Sequence, residues 1–303
     1  MIPFNFKVKM DLLSDWHVFL KSQFARYPFL KENEYKNIPL KEVSLIYFNW
    51  FTRIIQPANR KVHYSKEFKC PTTIQTRLDW VVEKIQTGQD LIPHQSRSLK
   101  KVKFNDGLYF DWGIHHLHLG NEVDDDGFVK RNKTSELSDH LLYVFFTEKD
   151  AYIIQVMDHS SFSKQELVGI IHKNWSEAIM QYKFGDNASL THSLSDEDVG
   201  LLRKAGITTA TEVEGNVVYG PLGGGITIAG TSGKATMHSI KYHNKIKLIE
   251  IHIYENIGYY AKCAEGNLGY SPKELSFKLI VDNENNFNVF ESNSMINFKI
   301  DKP

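Results

Sequence analysis

Apolar positions recur at helical spacing in the first third of the chain. Leu13, Trp16, Leu20 and Phe24 form one stripe across residues 10–27, and Pro28 follows as a stop. Residues 39–55 continue as a second apolar helix that ends before Pro57. A connector carries Arg60, Lys61, His63, Lys66 and Lys69. Residues 73–87 then place Ile74, Leu78, Val81, Val82 and Ile85 on one face, with Gly88 positioned as a C-terminal cap.

The period changes after residue 100. Segments 107–119, 140–147 and 151–158 are rich in β-branched and aromatic residues and read as strands. Glu148, Lys149 and Asp150 fit a tight connection, so the last two segments read as an antiparallel hairpin. Ser163 and Glu166 have the spacing of a capping box. Leu167, Ile170, Ile171, Trp175 and Ala178 give that helix a buried stripe.

Residues 183–196 are polar, and Ser195 is placed to cap a short helix ending at Gly206. The remainder reads as mostly strand, with alternation over 247–254 and 276–291 and a turn at Asn283–Asn286. The fold class expected is α+β: N-terminal helices with an antiparallel sheet, then a smaller β-rich C-terminal domain. The boundary falls near residue 190, giving domains 1–190 and 191–303.

Composition adds exclusions. The 303 residues hold 36 Lys+Arg and 36 Asp+Glu, so formal net charge is zero and no globally basic nucleic-acid binder is indicated. Hydrophobic residues at 42% and charged residues at 24% exclude a disordered or collagen-like chain. Cys70 and Cys263 are too far apart in sequence for a metal knuckle or redox pair. They read as small buried residues of a reducing, cytoplasmic protein. No apolar run approaches the ~18 residues a membrane span needs, so no membrane partner is expected.

The densest polar cluster is Asp111 to Gly120, which holds His115, His116 and His118. On a strand, His116 and His118 share a face with Trp112, and His115 points to the other. Two histidines at that spacing suit a general base and a phosphate contact, or two metal ligands. A second group, Asp158, His159, Ser160 and Ser161, stands where the hairpin runs into a helix N-terminus beside Lys164. Asp124, Asp125 and Asp126 form an acidic turn that does not match a calcium loop. Next to it lie Lys130, Arg131 and Lys133. Arg131 has the planar fork that suits phosphate.

His94, Arg97, Lys100, Lys101 and Lys103, with Arg131, Lys164 and Lys173, would make a local basic face for an RNA or DNA backbone. Trp112, Tyr143 and Tyr152 would supply stacking surfaces. Gly230 to Lys234 partly matches a phosphate loop, but Ala235 stands where Ser or Thr is required. With no nucleotide-binding strand–loop–helix around it, the glycine-rich stretch from Gly220 reads as a tightly packed hairpin, with Ser232 capping a helix across 233–244. There is no GxSxG, no HExxH and no dinucleotide fingerprint, so no cofactor is expected.

The order of elements over about 74–175 resembles the RelE/YoeB/ParE-like toxin family. The matching pieces are Asp111–Leu119, Arg131 to Tyr143, and His159 to Lys164, set against that family's hydrophobic-His-x-Phe-x-Lys exit. The histidine triplet stands where that family has a basic strand. Residues 112–120 also look like a segment of bacterial proteins of similar length.

The resemblance implies a ribosome-associated ribonuclease with an antitoxin-type protein partner. The leading expectation is therefore an RNA-cleaving, toxin-like or phage-defence effector acting by metal-independent phosphodiester transfer. His116 or His118 would be the base, His159 the acid, and Arg131, Lys164 and Trp112 would bind substrate. Two alternatives stand beside it. One is a metal-dependent nuclease or hydrolase using His116, His118 and Asp158 or His159. The other is a non-catalytic interaction or assembly subunit.

Overall fold

The computed structural model describes residues 7–130, 140–282 and 286–300. Its fold is mixed α+β. The chain forms two compact units, residues 49–236 and residues 1–48 with 237–303. The expected boundary at 190 lies inside the first of these. Among the described residues no helix is long and apolar enough to cross a membrane.

The unit that joins both chain ends holds β1 (Lys7–Met10), α1 (Leu12–Gln23), the start of α2 (Leu40–Phe51) and most of α7 (Gly233–Glu255). It also holds α8 (Ile257–Leu268), β8 (Glu274–Val281), β9 (Phe287–Glu291) and β10 (Ile296–Lys299). The sheet order is β1-β8-β9-β10, with β1 parallel to β8 and the other pairs antiparallel. Asp11 caps α1 by accepting from Ser14 N at 3.0 Å. Asp15, one turn on, accepts from Leu279 N in β8 at 2.8 Å and so pins helix to sheet. Trp16 centres the core, its ring 4.9 Å from Tyr242 and 5.3 Å from Phe287.

Residues 247–254, expected as a strand, lie inside α7. Ile249, Ile251 and Ile253 alternate in sequence, but burial follows the helical period: Ile246, Ile249 and Ile253 are buried on one side and Ile251 is exposed. The strands expected over 276–291 are present as β8 and β9. The turn between them falls mainly on 283–285, outside the described residues.

The other unit is built on a sheet of order β2-β5-β4-β3, with β2 (Lys61–Tyr64), β5 (Asp150–Met157), β4 (Leu141–Phe146) and β3 (Ile114–His118). β4 and β5 are the expected hairpin, and β2 runs parallel to β5. α3 (Gln75–Thr87) covers one face. Its Leu78, Val81 and Ile85 pack with Leu117, Leu142, Val144 and Ile153. Gly88 ends it in the left-handed conformation at φ +71°, its N–H bonded to Lys84 O.

α5 (Glu166–Ile179) covers the opposite face, packing Leu167, Ile170 and Ile171 with Ile114, Leu141, Tyr143 and Phe145. Each such side chain contributes roughly 1.5–3 kcal/mol by leaving water. The expected capping box at Ser163 and Glu166 does not form, because α5 starts only at Glu166 and Ser163 sits in a preceding 3-10 turn. The full capping box is instead at Ser195 and Asp198, opening α6 (Asp196–Lys204).

The segment 107–119, expected as one strand, is divided. Asp106 caps a short helix, α4 (Gly107–Trp112), by accepting from Tyr109 N at 3.1 Å, and Gly113 at φ +66° turns the chain into β3. Asp111 and Trp112 are therefore helical and do not share the strand face of the histidines. The small ribbon of β6 (Thr211–Val213) and β7 (Val217–Tyr219) leads into the glycine-rich segment.

That segment packs against the α4 backbone, as the tight-hairpin expectation requires. Gly223 N donates to Asp111 O at 2.9 Å and Gly225 N to Phe110 O at 2.8 Å. A Cβ on Gly223 would meet Tyr109 O at 2.0 Å, so only glycine fits there without moving backbone. The helix expected across 233–244 begins as α7 at Gly233 but continues to Glu255.

Glu291 supplies a test of the first sheet. Its carboxylate is fully buried and accepts from Ser276 N at 2.8 Å, Ser294 N at 2.7 Å and Ser294 Oγ at 2.6 Å. Burial pushes its pKa up, but these bonds more than offset that and hold it below the ordinary glutamate value. A carboxyl lowered in the folded state stabilises above its unfolded pKa, and that contribution is lost as pH falls through the folded value. Glu291→Gln is expected to reduce unfolding free energy by about 1.5–3 kcal/mol at pH 7. Its deficit relative to wild type should shrink on acidification in urea melts at a series of pH values.

Candidate active site

β3 is the edge strand of its sheet, and its period of two sets the site. Leu117 enters the α3 core, while His116 and His118 take the face opposite, in register with Tyr143 and Leu141. The chain then leaves β5 through Asp158 into a 3-10 turn over His159–Ser163. That turn brings His159 back to β3. The His118 ring lies 5.9 Å from His116 and 5.6 Å from His159, centroid to centroid. Phe162 closes the group, 4.8 Å from His116 and 5.9 Å from His159. The three histidines expected to act together are therefore adjacent. They also grade in exposure: His118 is buried, His116 half-buried and His159 exposed.

Two neighbours fix the frame. His94, fully buried, bonds His118 O through Nδ1 at 2.9 Å. A carbonyl only accepts, so Nδ1 carries the proton, and burial lowers the pKa of this ring and keeps it neutral. Tyr143 donates its hydroxyl to Asp158 O at 2.9 Å. Tyr143 is buried by this role and offers no stacking surface, contrary to expectation.

His115, on the other side of β3, contacts Tyr109 at 4.5 Å and Phe146 at 5.7 Å. Burial first, then the neighbouring His116, pushes its pKa down to about 3. It is a neutral packing residue.

Asp158 serves the turn. Its Oδ1 accepts from Ser160 N at 2.8 Å, Ser160 Oγ at 2.5 Å and Ser161 Oγ at 3.1 Å. The Ser160 hydroxyl is the largest influence lowering its pKa, with Lys164 adding a favourable charge. The alternative metal set of His116, His118 and Asp158 gains no support from this geometry: among the described residues no three His, Cys, Asp or Glu side chains are placed to hold a metal ion.

Trp112 is not a substrate contact. It is buried, donates Nε1–H to Thr211 Oγ1 at 3.1 Å, and lies under the Arg203 guanidinium at 3.7 Å. Arg131 and Lys133 lie outside the described residues. Lys164 is half-buried just past the His159 turn.

Part of the expected basic face is neutralised. Arg97 is bonded to Asp124 and, at 2.9 Å, to Asp126, and Lys100 reaches Asp126 at 2.5 Å. Lys130 pairs with Glu122 and Lys173 with Glu214, each at 2.9 Å. The acidic turn is thus the counter-charge of the basic stretch before it. Cys70 and Cys263 are free thiols, each half-buried rather than buried.

Sequence reasoning missed Arg203. Its Nε donates to Asp111 Oδ2 at 2.8 Å, and its NH1 donates to Phe162 O in the histidine turn. Burial raises the Asp111 pKa and lowers that of Arg203, each opposed by the other's charge. An ion pair spanning 92 positions leaves no local signal. The same holds for Phe162, which reads as an ordinary aromatic in a polar stretch. Comparison of the chain with protein-family models, curated proteins and solved structures gives no match.

Two outcomes follow. Arg203→Met leaves Asp111 buried without its cation and should destabilise by about 3–5 kcal/mol in denaturant titration, with Asp111→Leu added to it restoring much of the loss. A histidine held neutral in the fold loses stability as pH falls below its unfolded value near ~6.5. Between about pH 6.5 and 5, His115→Gln should therefore lose up to about 2 kcal/mol less stability than wild type.

Proposed function

We propose that the protein cleaves RNA by metal-independent phosphodiester transfer at the His116–His118–His159 cluster. The observation that carries this reading is the convergence of three imidazoles, two of them on β3 and one on a separate turn, around Phe162. Imidazole titrates near neutral pH, so adjacent rings with different exposure can hold one neutral base and one charged acid together.

His116, the more open ring on β3, takes the proton from a ribose 2′-hydroxyl as that oxygen attacks the adjacent phosphorus. His159, at the mouth, gives its proton to the departing 5′-oxygen. The products are a 2′,3′-cyclic phosphate and a free 5′-hydroxyl. His118 holds the pair apart, and Lys164 adds positive charge where the phosphorane gains negative charge.

The resemblance to RelE/YoeB/ParE-like toxins agrees with this chemistry and adds the reading of a toxin-like or phage-defence effector working on ribosome-bound RNA, with an antitoxin-type partner. The paired state of Arg97, Lys100, Lys130 and Lys173 argues for contact with a short stretch of RNA rather than a long backbone track.

The test is a cleavage assay on free single-stranded RNA and DNA with and without EDTA, and on ribosome-bound RNA in magnesium, because EDTA dissociates ribosomes. Wild type should cleave RNA alone, leaving cyclic phosphate ends. His116→Ala and His159→Ala should each lose roughly 100- to 10,000-fold in rate. Cleavage of free RNA abolished by EDTA, or no cleavage in either RNA setting, would overturn the proposal.

A further inference from the structure

α7 is apolar on two opposite sides. Ile246, Ile249 and Ile253 fill the core of its unit. At about 100° per residue, Met237, Ile240, Leu248 and Ile251 lie on the reverse side. They are 68%, 49%, 53% and 46% exposed. An outward stripe this regular on a helix whose inner face is already satisfied marks a contact surface rather than scattered surface apolar residues.

The stripe is a palindrome. Asn244 is the midpoint of Met237 and Ile251, and equally of Ile240 and Leu248. A two-fold axis at Asn244 that sets a second α7 antiparallel to the first therefore brings Met237 against the second copy's Ile251, and Ile240 against its Leu248. Every apolar group meets an apolar group, and Asn244 meets its own copy. That is the condition for an isologous contact, in which one patch is complementary to itself. A partner of different sequence gains nothing from this symmetry. A polar residue at the centre of an otherwise apolar helix seam fixes register at some cost in stability.

Charge bears on the strength of the contact. Lys241 and Lys247 border the stripe, so its attraction comes from apolar burial and is opposed by like charge. The segment 237–251 spans only about 21 Å of helix, and such a seam falls short of the ~1,600 Å² of a standard interface. We infer that the outer face of α7 associates with a second copy of this chain, antiparallel about Asn244, as a weak homodimer.

The full chain in velocity sedimentation should pass from monomer to dimer below about 100 µM, and the dimer should strengthen with added salt. Ile240→Glu and Leu248→Glu should each weaken it at least about 10-fold, because the symmetry places each substitution in the seam twice. Both sites are exposed, so thermal unfolding should be unchanged and misfolding is checked separately.

Register is read by oxidation in a Cys70→Ser, Cys263→Ser background. Asn244→Cys should cross-link to its own copy. Met237→Cys should cross-link to Ile251→Cys but not to itself. A chain that stays monomeric, a dimer untouched by both glutamate variants, or self-linking of Met237→Cys would overturn the inference. Protection of the stripe within the monomer would do the same.

Discussion

The unit that carries the histidines is organised by one buried cation. Arg203 touches two distant parts of the chain at once: the carboxylate of Asp111 and the indole face of Trp112 at the end of α4, and the carbonyl of Phe162 in the His159 turn. Neither part is near the other, or near Arg203, in sequence. An arginine removed from water must be met by charge and acceptors, and a planar guanidinium can satisfy several in one plane. Once Arg203 is committed, α4, α6 and the 159–163 turn are fixed relative to one another. The glycine-rich segment then closes on α4 through backbone alone, since Gly223 leaves no room for a side chain. The position of Phe162, and through it the grouping of His116 and His159, follows from this chain of constraints.

Some of the charges elsewhere in this unit are paired. The stretch around Arg97 and Lys100 is answered by the loop containing Asp124 and Asp126, and Lys173 by Glu214. These pairs are partly exposed and each contributes little to stability. Such pairing weakens the local positive field at Arg97, Lys100 and Lys173. What remains chemically distinctive is short-range, a cluster of rings and a half-buried lysine.

The elements legible in the sequence were those whose information is local. The stripe of α3 with Gly88 behind it, the β4–β5 hairpin, and the Ser195 cap each depend on residues within a few positions of one another. The misreadings share a cause. Segment 107–119 has the composition of a strand throughout, yet the Asp106 cap and the left-handed Gly113 make its first half a helical turn. Isoleucines 249, 251 and 253 alternate like a strand but belong to a helix with apolar groups on both sides, so period alone could not decide. Of the site, the histidines were legible because their chemistry is rare and their spacing close. Arg203 was not, because its partners are assembled only by the fold.

The three consecutive-looking histidines of β3 show how a strand sorts identical residues into different roles. The pleat sends His115 one way, between Tyr109 and Phe146, where burial keeps it neutral far below ordinary pH. It sends His116 and His118 the other way, to the side where the turn after β5 arrives with His159. Exposure on that side rises from His118 through His116 to His159. Strand alternation and one returning turn suffice to convert a run of like residues into a packing residue, a buried ring and two more open rings.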